Sequence, residues 1–401
     1  MNELVSEESK RSYYGWAVVG VVFLAELLTF GLVYSFGVFL KPVASEFHWS
    51  RAATTGAFFA YAIIHDLLAP VMGKLADRFG PRVVAAIGGF CIGLTMVLMS
   101  CTTAIWQVYL FYAVIFSLGA ASIYAPLMAT VSQWFTERRG LAVGITAAGL
   151  GAGILVFSPL AAWLIFSYGW RMAYIVVGSI CWVLFIPVVR FIRRAPKRSI
   201  EVEIQNESNK DFTTMEALKT RAFWMLSFTW LFIALANWAI MVNIVPLLTD
   251  MEVSLVTAGI ILGVMGGASI AGRVGGGFLS DRVGRKHSLV ISLAIVLAAL
   301  ILFLFCEELW TFFLFAIIFG LGFGGAAGIM PSFPADFFGS KATATIFGFM
   351  VILAGIGVGL GPFVGAYIYD IAGSYYYMRW MCLITSTVAL IFAWLIEAPA
   401  K

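Results

Sequence analysis

The sequence predicts an all-α polytopic membrane protein, with twelve transmembrane helices in two pseudo-symmetric six-helix bundles. Three observations predict it. Of 401 residues, 62% are hydrophobic and only 11% charged, with a mean hydropathy of +0.97; ordinary globular domains carry about 25% charged residues, so a soluble fold is excluded. The apolar residues fall into twelve runs, each long enough to match the ~20 residues that cross a ~30 Å hydrocarbon core. The second half also repeats the first at a near-constant offset of 204 residues.

In order, the runs cover about 14 to 40, 52 to 76, 83 to 104, 105 to 134, 140 to 166, 171 to 192, 222 to 249, 253 to 280, 287 to 306, 309 to 335, 342 to 369 and 375 to 397. The first follows the polar stretch Met1 to Tyr13. It is too long for a secretory h-region and has no small-residue cleavage site, so it is expected to stay as a helix. Arg193 to Arg221, which includes Pro196, is the one long polar stretch and parts six crossings from six. The predicted organisation is an N-terminal bundle at 1–192, a cytoplasmic linker at 193–221 and a C-terminal bundle at 222–401. Within the linker, Thr213 and Glu216 have capping-box spacing. This means either a short helix before Phe223 or a coincidence in a polar loop.

Charge placement gives the orientation. With the N-terminus inside, only Lys41, Arg51, Arg171 and Arg379 among the 25 Lys and Arg fall outside, and Arg273 falls within a helix. The positive-inside rule then puts both termini in the cytoplasm, in a plasma or inner membrane. The net charge of +4 therefore marks a membrane face and not a nucleic-acid surface. Cys91, Cys101, Cys181, Cys306 and Cys382 lie in or at the rims of the runs. They lack the paired spacing of a zinc or redox site and read as small buried hydrophobes.

The repeat is specific. Gly73-Lys74-Leu75-Ala76-Asp77-Arg78-Phe79-Gly80-Pro81-Arg82 recurs as Gly277-Phe278-Leu279-Ser280-Asp281-Arg282-Val283-Gly284-Arg285-Lys286. Pro126 pairs with Pro331, Pro159 with Pro362 and Gly169 with Gly373 at nearly the same spacing. Six helices per half make the repeats parallel, related by an axis along the membrane normal, with a cavity between them. In each loop a carboxylate, Asp77 or Asp281, ends a helix where it can bond an arginine or the open amides of the next helix. Asp77, Arg78, Asp281 and Arg282 are thus candidate gating residues, or else folding staples.

These loops resemble the signature loop of the major facilitator superfamily, and the resemblance covers the whole chain. Tyr14-Gly15-Trp16-Ala17-Val18, Trp134-Phe135-Thr136-Glu137-Arg138-Arg139-Gly140 and Gly169-Trp170-Arg171 are similar to the monocarboxylate and oxalate:formate carriers.

Ionisable groups deep in hydrocarbon cost at least ~2.5 to 3.5 kcal/mol each, so by default they face a cavity and serve function. At 1.5 Å per residue, Arg273 lies roughly 12 Å inside the loop face, Asp66 roughly 16 Å, and Glu26 and Tyr124 roughly 15 Å. All are near the midplane. His65 adjoins Asp66 but points about 100° away, so the two need not share a face. Arg273, among the glycines of Gly272-Arg273-Val274-Gly275-Gly276-Gly277, suits a carboxylate. Its alternative is permanent neutralisation by Asp66 or Glu26. Glu26, Asp66 and His65 are the candidates for a proton site, with static pairing or a bundle hydrogen bond as the alternative. Tyr34 and Tyr124 are hydroxyl donors or packing residues. Asn237 and Asn243 are expected to bond between helices. The glycine-rich runs Gly144 to Gly153 and Gly355 to Gly361 are expected to pack helices closely.

The resemblance implies that Arg273 matches a helix 8 arginine that binds the substrate carboxylate, and that Tyr124 matches a helix 4 tyrosine. It also implies departures. Ala354 stands where oxalate:formate carriers have a helix 11 lysine, and Phe323, Ala327 and Leu150 stand at the aromatic-cage positions. Tyr34 and Ser269 stand where mammalian-type monocarboxylate carriers have a lysine and an aspartate, so the proton route of those relatives does not carry over.

The expected function is alternating-access transport of a small organic anion, most simply a proton-coupled monocarboxylate of the lactate or pyruvate kind. The alternatives are an oxalate:formate type exchanger or a facilitator for another small solute. The expected partners are that anion, protons and the bilayer, with no cofactor, metal or nucleic acid, in a monomer. A channel fits repeated rigid halves less well. A sensor lacks a soluble signalling segment, and an intramembrane enzyme lacks a nucleophile with a base, since only His65 of the three His is deep.

Overall fold

The computed structural model describes residues 2–135, 139–193, 212–339, 343–397 and 399, and only the backbone at 2–13, 139–140, 335 and 343–344. Most of the expected linker with Pro196, the Thr136 to Arg138 part of the Trp134 motif, Lys341 and Lys401 lie outside the described residues.

The described elements are helices. They are α1 (Asn2–Glu46), α2 (Arg51–Phe79), α3 (Pro81–Ser100), α4 (Ile105–Trp134), α5 and α6 (139–168 and 170–189), α7 (Arg221–Asp250), α8 (Leu255–Val283), α9 (Arg285–Leu304), α10 (Leu309–Phe338), α11 (Thr343–Ala372) and α12 (Tyr376–Trp394). Eleven helices among the described residues are long and apolar enough to cross a membrane, one fewer than the runs. The difference lies at Arg139–Val189, which counts once although its 51 residues would reach about 75 Å. It breaks at Gly169, whose φ of 78° is a left-handed value that glycine adopts without a Cβ clash. Trp170 reaches Glu46 at the end of α1, whereas Tyr14, where the membrane-spanning part of α1 begins, reaches the Phe191 carbonyl. The chain therefore reverses at Gly169, and twelve crossings result.

α4 is irregular: Tyr109–Phe116 is π-helical, and the helix is interrupted at Ser122 and Ile123 before resuming at Tyr124. Pro126 sits in the first turn of the resumed segment, where its missing N–H costs little. α10 bends at Met330–Ser332, around the repeat-related Pro331. The capping box is formed: Thr213 accepts from the Glu216 amide, Glu216 accepts from the Thr213 amide at 2.8 Å, and the helix Thr214–Lys219 follows.

Lipid offers no hydrophobic drive between helices, so close approach at small residues carries the packing. Gly153 of α5 lies against Gly31 of α1, and 204 residues later Gly357 of α11 lies against Leu231 and Leu235 of α7. Between bundles, Gly151 lies against Ile270 of α8 and Gly355 against Asp66 of α2. Asp66 and Ile270 are themselves 204 apart, so the duplication is as plain in the packing as in the loops. Asn243 ties α7 to α11, donating to the Ala239 and Pro362 carbonyls at 2.9 and 3.2 Å. The Asn237 side-chain oxygen, buried, has no hydrogen-bond partner among the described residues, so only one of the two asparagines bonds as expected. Four cysteines are buried, but Cys101 is exposed. It caps the end of α3, where the chain leaves the bundle.

Candidate functional site

A cavity of about 950 Å³ lies between the bundles, walled by α1, α2, α4 and α5 on one side and α7, α8, α10 and α11 on the other. It reaches Asp77, Pro81, Gln133 and Pro331, so it opens on the face carrying the Asp-Arg loops. Towards the opposite face it ends on Tyr34 stacked against Trp238, with ring centroids 4.6 Å apart and planes 10° from parallel. These residues are 204 apart and meet near the pseudo-two-fold axis. Beyond them Gly37 abuts the Val242 backbone and closes α1 on α7.

Arg273 lines this cavity. Gly272 and Gly276 let α8 lie directly on the backbone of α10 at Leu321 and Gly325. The guanidinium carbon sits 5.8 Å from the Phe323 ring centroid, a cation–π distance. Its Nε has no hydrogen-bond partner among the described residues, and Tyr34 and Tyr124 line the same cavity. Tyr124, first residue after the α4 interruption, packs edge-on to Phe30 at 5.4 Å.

His65 and Asp66 also line the cavity and are bonded, Nδ1 to Oδ1 at 2.9 Å. Helical direction alone left open whether the two share a face. Their Cβ vectors diverge, but Gly355 leaves room for the carboxylate and Tyr61 holds the imidazole at 5.7 Å between centroids. His65 Nε2 is buried without a partner among the described residues.

Glu26 departs from the default that a deep ionisable group faces a cavity. It is fully buried between α1 and α5, beside Gly149, and both carboxylate oxygens lack a partner among the described residues. It lies behind the cavity wall, not in it. In this conformation neither carboxylate is paired with Arg273: Asp66 is bonded to His65, and both Glu26 oxygens lack a partner among the described residues. Leu150, Ala327 and Ala354 line the cavity, as their alignment implied. Trp230 and Trp238 in the wall escaped the sequence reading. The repeat offset marks both, from Glu26 and Tyr34.

α2 and α8 end at Gly80 and Gly284, with φ of 99° and 84°. Asp77, Arg78, Asp281 and Arg282 are exposed, and Arg78 and Arg282 lie over Phe79 and Phe278 at 5.1 and 4.2 Å. In the second loop the ion pair is Arg285 with Asp336, within one bundle. With the cavity open here, the bundles are latched on the opposite face.

That latch is ionic. Arg51 grips Asp250 with both nitrogens, at 2.6 and 2.8 Å, and Lys41 joins at 2.7 Å. Asp370 accepts from the Arg51 and Ala52 amides at 3.1 and 2.7 Å, capping α2 from the other bundle, where the helix dipole favours an anion. Arg51 also lies 3.7 Å over the Tyr369 ring. At the matching corner of the first half Glu46 takes Arg171 and Trp170 inside its own bundle, at 2.5 Å each. Tyr375 and Ser374 replace Arg171 and Trp170 in the second half, so Asp250 reaches across instead.

The model of the Major Facilitator Superfamily matches residues 22–282 and 231–401. The chain belongs to the major facilitator superfamily. Like that superfamily's members it is a multi-pass membrane transporter, with the twelve-helix fold. Among curated superfamily relatives it is similar to the oxalate:formate antiporter of Oxalobacter formigenes, 28% identical over 83% of this chain and 80% of the relative. It is also similar to monocarboxylate transporter 13 of Bos taurus, 27% identical over 90% of this chain and 84% of the relative. A bacterial homologue of the human lysosomal transporter Spinster, solved inward-facing and unoccupied, superposes with a TM-score of 0.74 at 18% identity, covering 96% of this chain and 97% of that one. At that identity it shows the superfamily fold alone.

Proposed function

We propose that this transporter is a secondary active carrier of a small monocarboxylate, lactate- or pyruvate-like, coupled to protons. The observation that carries the reading is Arg273, a midplane guanidinium facing a cavity between two bundles with no ion-pair partner among the described residues. A half-buried cation at membrane depth without a counter-charge calls for an anionic ligand. The names of the relatives, an oxalate:formate antiporter and monocarboxylate transporters, support the same class. Ala354 supplies no second cation, so a dianion would leave one charge poorly compensated.

Units 1–192 and 222–401, joined by 193–221, rock about Arg273 while the two faces open in turn. The distribution of Lys and Arg supports a cytoplasmic loop face, cytoplasmic termini and a plasma or inner membrane. The anion leaves Arg273, flanked by Tyr34, Tyr124 and Phe323, through the mouth near Asp77. Moving a lone anion inward against a negative interior costs about 2.3 kcal/mol per 100 mV, and a co-transported proton cancels that charge. Asp66, with His65, gives the proton access from the cavity. Glu26 answers the charge state of Arg273 from behind the wall.

Proteoliposomes loaded at a defined pH test the reading. Radiolabelled lactate or pyruvate is expected to accumulate under an inward proton gradient, with oxalate a weaker competitor than either monoanion, and accumulation is expected to fall in Glu26→Gln or Asp66→Asn. Gradient-independent accumulation, or gradient-driven accumulation kept by both variants, overturns the coupling. Tighter binding of oxalate, or counterflow in place of net uptake, favours exchange.

A further inference from the structure

A second cavity, of about 590 Å³, is cut into the outer side of the first bundle between α3 and α6, away from the axis. Its walls are apolar, with Val83 and Ile87 from α3 and Ile186 from α6 all well exposed. Gly89 and Gly93 carry no side chain, so the rings of Phe185 and Trp182 sit directly on α3 at one end of the groove. Its inner end is fixed: Trp182 stacks on Phe90 at 5.9 Å and donates its Nε1–H to the Phe90 carbonyl at 3.1 Å.

Two arginines stand at the loop-face rim. Arg82 is the second residue of α3, and Arg190 follows Val189, the last of α6. Both are exposed, and neither makes an ion pair among the described residues. Each lies eight residues from the aromatic end, about 12 Å along its helix, close to the ~15 Å of hydrocarbon in one leaflet. The repeat shows that this is no general property of the fold. The positions 204 residues on are Lys286, Ala294, Ser386 and Trp394, so the second arginine and the aromatic end exist only in the first half.

We infer that the α3/α6 groove binds one anionic phospholipid, with an acyl chain along the apolar walls and the headgroup phosphate held between Arg82 and Arg190. A second copy of the chain fits worse. A two-fold contact through this face would set the unpaired arginines against each other, whereas an acidic headgroup neutralises both.

The test uses the full chain, purified and delipidated, in native mass spectrometry with phosphatidylglycerol or phosphatidylcholine of the same acyl chains. Wild type is expected to bind a first phosphatidylglycerol at least tenfold more tightly than phosphatidylcholine. Arg82→Gln with Arg190→Gln should erase that preference, Ala86→Trp should weaken both lipids by filling the groove, and Lys286→Gln should change neither. An undiminished preference in the double variant overturns the site. A dimer lost in Ala86→Trp while lipid binding persists assigns the groove to a copy interface and overturns it equally.

Discussion

Arg273→Ala is expected to reduce monocarboxylate uptake by about 100-fold or more, with the protein still inserted and folded. Charge-assisted hydrogen bonds contribute roughly 1.5–3 kcal/mol each, and a guanidinium gives a carboxylate two in parallel. With 1.4 kcal/mol per tenfold, losing both leaves little specific binding. Arg273→Lys keeps the charge but replaces a planar fork with a point charge, so its half-saturation concentration should rise about 10- to 100-fold. Folding is a separable readout. Because Arg273 makes no ion pair among the described residues, its removal breaks no bonded charge pair, and it removes a charge held at membrane depth. The apparent melting temperature of the alanine variant should therefore hold or rise. Undiminished uptake by Arg273→Ala would remove the guanidinium from the site.

The second large effect lies at the opposite face. Asp250→Ala leaves Lys41 and Arg51 facing each other without their shared anion, so it should shift the population towards opening there. Truncating one partner of a buried charge pair costs about 2–5 kcal/mol. The three side chains are 12–31% exposed, and screening reduces the figure to about 1–3 kcal/mol. That is roughly a 5- to 150-fold change in the ratio of the two states. Spin labels at the exposed Ser45 and Ser374 report the separation. Asp250→Ala and Arg51→Ala should add a longer distance, and Glu46→Ala, whose pair lies inside one bundle, should not. Unchanged distributions in the first two would mean that apolar packing alone holds this face shut.

Much of this was legible before any coordinates. A long unbroken apolar run in a bilayer reads as a helix, so the crossings followed, including the break between the runs ending at 166 and starting at 171, which the structure places at Gly169. The depth count also put Arg273, Asp66 and Tyr124 at one level, and they share a cavity. Glu26 shared that level too, yet depth does not say whether a side chain meets the cavity or its back wall. The His65–Asp66 bond was illegible because helical geometry gives the Cα–Cβ direction and not the rotamer. The latch was illegible for another reason: Arg51 and Asp250 are 199 residues apart, and they meet only when the bundles close on that side. The sole trace was that Lys41 and Arg51 were basic residues on the wrong face.

The exchange of Arg171 for Tyr375 at the repeat-related corner leaves an ion cluster bridging the bundles on one face, within reach of dissolved salt. The Debye length falls from about 8 Å at 0.15 M ionic strength to about 3 Å at 1 M, and the Lys41–Arg51–Asp250 cluster is open enough for ions to enter. Brine on that side loosens the bridge between the bundles. The same brine on the loop side meets Arg285 and Asp336, which join two helices of one bundle and do not hold the two bundles together. Added salt on the latch side is thus expected to favour opening there, in a protein built from two copies of one repeat.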